Sequence, residues 1–136
     1  MPTVRITRRV HFSAAHRLHN PTFSAEKNAS VYGLCNSPNY HGHNYELDVT
    51  VEGEIDGTGY VLDLGELRDL VEEAVLQDLD HRNLNQDVPW LAEVIPSTEN
   101  LVVKIWERLV DRIPRGRLAR LVLWETPRNY VEYTGE

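Results

Sequence analysis

The chain has 136 residues, 41% of them apolar and 26% charged, with a formal net charge of -7. That balance excludes a disordered chain and gives one globular domain over residues 1–136 with a single substantial core. It argues against a nucleic-acid surface, which needs concentrated positive charge. One cysteine excludes an intrachain disulfide framework and suits a reducing compartment. No leader or membrane-length apolar run is apparent, so the expectation is a cytoplasmic protein with no membrane partner.

The first strand is expected from the alternation of Val4, Ile6 and Val10 with Arg5, Thr7 and Arg9, running on through Phe12. Arg8 interrupts its apolar face, and Arg8-Arg9 reads as a solvated strand edge. If the chain stays extended, His11 and His16 fall on opposite faces. Asn20 through Asn39 carries turn formers and two prolines and is expected to be a structured loop around a pocket. Within it lies Cys35, which reads either as a small buried residue or as a reactive thiol.

His41-Gly42-His43 opens the clearest strand pattern. Tyr45, Leu47, Val49 and Val51 alternate with Glu46, Asp48, Thr50 and Glu52, and both histidines continue the odd, apolar face. Gly42 permits close approach of backbone or ligand. An isolated His-x-His also fits ordinary turn histidines. With His16 on a strand that pairs beside this one, three neutral imidazoles and an open fourth position make a catalytic zinc site.

Asp56-Gly-Thr-Gly59 marks a turn, followed by a short strand candidate at Tyr60-Val61-Leu62. Asp63 caps the next helix with Glu66 as its capping-box partner, and Leu64, Leu67, Val71, Ala74 and Val75 form its apolar stripe. This helix weakens around Asp78 to Asp80. Asp80-His81 is then either a base with its orienting carboxylate or a capping pair in solvent. A second helix follows Pro96, capped by Ser97 or Thr98, with Leu101, Val102, Ile105, Leu109 and Ile113 inward and Trp106 packing on the core. Glu99 suits the positive helix end as well as a ligand. After Pro114-Arg-Gly116, a strand from Arg117 to Glu125 places Ala119, Leu121 and Leu123 on its odd face. Glu125 reads as a ligand anchor or as the point where that face meets water. Tyr130 through Tyr133 forms a short last strand. The elements sum to an α+β domain, a four-stranded antiparallel sheet with two helices on one face, whose long edges invite symmetric association.

The ordered blocks Phe12-Ser-Ala-Ala-His16-Arg-Leu, Cys35, His41-Gly-His43-Asn-Tyr45, Leu79-Asp80-His81, Ser97-Thr98-Glu99-Asn100 and Glu125 resemble the 6-pyruvoyl-tetrahydropterin synthase and 6-carboxy-tetrahydropterin synthase family across nearly the whole chain. The resemblance implies a T-fold and a homohexamer of two trimers, with active sites shared between neighbouring subunits. It implies Zn2+ on His16, His41 and His43, proton transfer by Cys35 with Asp80 and His81, pterin anchoring by Glu125, and pocket support from Ser97, Thr98 and Glu99. The reaction implied is zinc-dependent conversion of dihydroneopterin triphosphate to 6-pyruvoyl-tetrahydropterin, a phosphorus-oxygen lyase step of tetrahydrobiopterin biosynthesis. The alternatives are the 6-carboxy-tetrahydropterin branch of queuosine biosynthesis, with acetaldehyde released, and a noncatalytic metal-binding scaffold. The Cys35-to-His41 spacing is more similar to the pyruvoyl branch. Two positions depart from the family pattern: Leu34 stands where a basic residue is common, and Tyr40 where animal-type relatives carry glycine.

Overall fold

Two long strands carry the architecture. In the computed structural model, which describes residues 2–136, β1 (Thr3–His16) and β2 (His41–Glu54) run antiparallel. They pair without a shift from Thr3 opposite Glu54 to His16 opposite His41. Side chains alternate along a strand, so this register sends Val10, Phe12, Ala14 and His16 to the same side as Tyr45, Leu47, Val49 and Val51. All eight are buried. Phe12 stacks on Tyr45 with ring centroids 4.8 Å apart, a cross-strand aromatic pair that reinforces the register.

The sheet has five strands where four were expected. The addition is β3 (Arg82–Asn83), which pairs in parallel with Ala14 and Ala15 of β1; β4 (Arg117–Thr126) and β5 (Asn129–Tyr133) complete the order β3-β1-β2-β4-β5. A two-residue edge strand is too short to show a period of two. Tyr60-Val61-Leu62 is not a strand. The Asp56 carboxylate accepts from the Thr58 and Tyr60 backbone N–H groups, and the Asp56 N–H donates to the Tyr60 carbonyl at 2.9 Å. That turn folds the segment inward, burying Val61 and Leu62 in the core.

The loop expected between the first two long strands contains structure of its own. Helix α1 (Ala25–Tyr32) is capped by Ser24, whose hydroxyl accepts from the Lys27 N–H, and a 3-10 turn spans Gly33–Asn36. Helix α2 (Leu64–Val71) begins at the Asp63 cap and continues through a π-helical turn at Glu72–Leu76 into α3 (Gln77–Leu79). The wider turn keeps Ala74, Val75 and Leu76 buried in succession. Helix α4 (Thr98–Leu109) buries Leu101, Val102, Ile105 and Leu109. Ile113 lies past its end, against the core rather than on the helix stripe. The Arg108 guanidinium donates to the Ala74 carbonyl at 3.1 Å and holds α4 beside the π-helical turn. Among the described residues no helix is long and apolar enough to cross a membrane.

Strand β4 departs twice from ideal pairing. Between Thr50 and Val51 of β2 its register slips by one, which puts Leu118 and Ala119 both in buried positions. Near its end, Trp124 pairs with Tyr130 and Thr126 with Asn129, leaving Glu125 as the unpaired residue of a β-bulge. The other sheet face carries ion pairs: Arg5–Glu52, Arg9–Asp48 and Arg120–Glu132.

The two faces should respond differently to substitution. Leu47→Ala removes a fully buried side chain and is expected to cost about 2–5 kcal/mol of unfolding free energy in urea. Arg120→Gln breaks a half-exposed pair and is expected to cost under about 1 kcal/mol. Equal losses would contradict the assignment of faces.

Candidate active site

The β1–β2 register gathers three imidazoles at one end of the sheet. His16 and His41 are direct cross-strand partners, and His43 stands two residues along β2 on the same face. Their ring centroids lie 4.6 to 5.0 Å apart, edge to face. His16 is 1% exposed. Its Nδ1 sits 2.8 Å from the Pro96 carbonyl oxygen, which can only accept, so the proton resides on Nδ1 and Nε2 presents a lone pair. The Tyr45 hydroxyl lies 3.4 Å from the same Nδ1.

Three ring nitrogens remain buried and unpartnered among the described residues: His16 Nε2, His41 Nδ1 and His43 Nε2. One ligand nitrogen from each histidine falls within 4.8 Å of the others. Leaving three such nitrogens without partners costs about 1–3 kcal/mol each. A metal ion taking their lone pairs removes that cost, and a neutral imidazole set suits a borderline cation. Burial holds the pKa values of His16 and His43 below the ordinary 6.5, opposed by the Pro96 carbonyl at His16 and by the Glu125 carboxylate at His43. In His16 and His43 this favours the neutral ring, the form that ligation requires.

Glu125 links this cluster to an adjoining cleft. Being bulged, it escapes the ladder at the end of the Leu121–Leu123 apolar face. Its Oε2 accepts from the Thr98 hydroxyl at 2.5 Å, and Oε1 lies 3.9 Å from His43 Nε2. Thr98 is free to do this because Ser97 supplies the helix cap, accepting from the Asn100 N–H at 3.2 Å. Cys35, half-buried on the 3-10 turn, lines the same cleft of about 230 Å³ with Ser97, Thr98, Glu99, Glu125 and Tyr130. Glu99 is exposed in the first turn of α4, where it also complements the helix dipole.

Asp80 and His81 are paired, with Oδ2 3.1 Å from His81 Nδ1. Their anchor is the Ser13 backbone: its N–H donates to Asp80 Oδ1 at 2.9 Å and its carbonyl accepts from the His81 N–H at 2.6 Å. The Ser13 N–H, then His81, hold the Asp80 carboxyl below its usual range. His81 adopts a left-handed φ of 62° and is largely exposed. Within one chain His81 lines a different cleft from Cys35, of about 490 Å³, with Ser13, His43, Asn44 and Asp87. The chain thus brings Cys35, Ser97, Thr98, Glu99 and Glu125 into one cleft, reached from the imidazoles through Glu125, whose lining includes neither Asp80 nor His81.

Two contributors were not singled out in the sequence. The Pro96 carbonyl is backbone and carries no residue signal. Tyr45 read only as core, although its place two residues beyond His43 on the same face was visible. Burial, with Glu125 and Cys35 nearby, raises its phenol well above the ordinary range.

Residues 5–136 match the family model described as 6-pyruvoyl tetrahydropterin synthase. A 6-pyruvoyl tetrahydrobiopterin synthase of Homo sapiens is 48% identical over 133 residues, covering 97% of this chain and 92% of that protein. The Drosophila melanogaster protein of the same name is 43% identical over 136 residues, covering 98% of this chain and 81% of its own length. The solved structure of Caenorhabditis elegans 6-pyruvoyl tetrahydropterin synthase superposes with a TM-score of 0.94 at 38% identity, covering 100% of this chain and 98% of that one.

The histidine shifts fix a pH dependence. Folded pKa values below the unfolded value of 6.5 give stability that is present above 6.5 and lost as pH falls through the folded values. The metal-free protein is therefore expected to lose melting temperature as pH drops below about 6.5. Zinc added near neutral pH is expected to raise it in a concentration-dependent way. A melting temperature indifferent to zinc would contradict the cluster as a metal site.

Proposed function

The chain belongs to the 6-pyruvoyl tetrahydropterin synthase family, and on that premise we propose that it converts dihydroneopterin triphosphate to 6-pyruvoyl-tetrahydropterin with release of triphosphate. The observation that carries this reading is the adjacency of the imidazole cluster to a cleft holding both a thiol and an anchored carboxylate. Residues 1–136 would act as one such domain, as a zinc-dependent lyase in the cytoplasm.

His16, His41 and His43 would hold Zn2+, which when bound supplies Lewis-acid polarisation of a side-chain oxygen. Glu125 would anchor the pterin: its carboxylate, fixed on one oxygen by Thr98, can accept adjacent ring N–H donors in a charge-assisted pair. Ser97 and Glu99 would line the wall beside it. Cys35, across that cleft, would move protons at the side-chain carbons as its thiolate. The overall conversion eliminates triphosphate and shifts electrons from the side-chain hydroxyl carbons into the ring, so it needs no external redox cofactor. Asp80 and His81 would serve as the partner pair for that proton transfer. Their separation from Cys35 within one chain fits a homohexamer of two trimers in which a neighbouring subunit supplies them.

Mass analysis after incubation of the zinc-loaded protein with dihydroneopterin triphosphate tests the reaction directly. The pyruvoyl product with triphosphate is expected. A carboxy product with acetaldehyde would assign the other branch, and no turnover with intact zinc and pterin binding would leave a scaffold.

Substitutions should separate binding from chemistry. Cys35→Ala is expected to keep zinc and pterin affinity while turnover falls by about 10²–10⁴-fold. Glu125→Gln is expected to weaken pterin binding by about 10–100-fold, with zinc content unchanged. Unchanged turnover in the first, or unchanged pterin affinity in the second, would reject the assigned role.

A further inference from the structure

The turn that bears Cys35 is gripped from one side by four hydrogen bonds. The Leu18 N–H donates to the Cys35 carbonyl at 2.8 Å, and Arg17 Nε–H donates to the Asn36 carbonyl at 2.9 Å. The Asn36 amide grips in return, its Nδ2 lying 2.8 Å from the Leu18 carbonyl and 3.0 Å from His19 Nδ1. A carbonyl only accepts, which fixes the amide orientation; His19 then accepts at Nδ1 and carries its proton on Nε2. Arg17 is itself fixed, because its N–H donates to Asn85 Oδ1 and its carbonyl accepts from Asn85 Nδ2, each at 2.8 Å. These residues follow directly on His16, the last residue of β1. On the preceding side, Leu34 is 93% exposed, and Gly33, at a left-handed φ of 57°, donates its N–H to the Ala29 carbonyl at the end of α1.

We propose that Asn36 and Arg17 are positioning residues for Cys35, clamping the thiol-bearing turn to the end of the strand that carries a metal-ligand imidazole. The proposal rests on the acid/base reading of Cys35. Helix α1 is secured separately, by the Ser24 cap and by the buried Asn28 side chain, which bonds Asn20 N at 2.8 Å and the Ser24 carbonyl at 3.2 Å. Loss of the Asn36 side chain therefore removes two of the four bonds and loosens the turn while leaving the helix and the imidazoles in place. A displacement of about 1 Å of a reacting group costs on the order of 10²-fold in rate.

The test uses Asn36→Ala in the zinc-loaded full chain, with three readouts: zinc per chain, kcat and KM on dihydroneopterin triphosphate, and the rate of iodoacetamide alkylation. Cys35 is the only thiol, so alkylation reports it alone. Expected are unchanged zinc, kcat lower by about 10²-fold at KM within about two-fold, and faster alkylation of the loosened turn. Wild-type kcat and alkylation would overturn the proposal, as would a parallel loss of zinc, which marks a structural role only. Arg17→Met, which removes one bond of the clamp, decides on the same readouts should Asn36→Ala not fold. If Cys35→Ala retains turnover, the acid/base reading fails by itself, and the alkylation contrast still measures the clamp.

Discussion

The site depends on one registration: β1 against β2, with His16 fixed opposite His41. A slip of a single residue would turn every side chain of one strand to the other face, sending its imidazoles into solvent and its apolar residues with them. The core prevents this. Tyr45, Leu47, Val49 and Val51 are each fully buried, and each such side chain stabilises its position by about 1.5–3 kcal/mol. The register that satisfies them carries three unpartnered imidazole nitrogens into the interior at the strand ends. Apolar burial offsets the cost of a polar cluster that only a bound cation satisfies well.

A second constraint shapes the cleft. Regular pairing at Glu125 would lock its backbone into the β4–β5 ladder, whereas the bulge releases it beside Thr98 and His43. Ser97 and Thr98 divide the work at the start of α4, one hydroxyl closing the helix end and its neighbour orienting the carboxylate. On the opposite face, the Arg9 guanidinium beside Asp48 holds that carboxyl below its usual range. Charge is thus paired off on one side of the sheet, while the other is left to packing and ligation.

Much of this was legible because it repeats. A period of two put His41 and His43 on the odd face of β2, and the cap and stripe at Ser97 through Leu109 marked α4. What was not legible lacks periodicity. β3 has two residues, and α1 buries only the polar Asn28, so neither shows an apolar pattern. Tyr40 takes a left-handed φ of 65°, a conformation that favours glycine. Its hydroxyl accepts from Gln86 Nε2 at 2.7 Å, which ties the residue down from its far end. Asp80 and His81 were grouped with Cys35 by resemblance alone. The fold keeps them out of the Cys35 cleft because Ser13, on the polar face of β1, is what holds them.

X-ray absorption at the zinc edge of the loaded protein addresses the centre of the account. Imidazole scattering from three nitrogen neighbours at about 2.0–2.1 Å is the predicted spectrum. A sulfur neighbour at about 2.3 Å would show Cys35 bound to the metal instead of free to move protons, and fewer than three imidazoles would break the convergence from which the site is built.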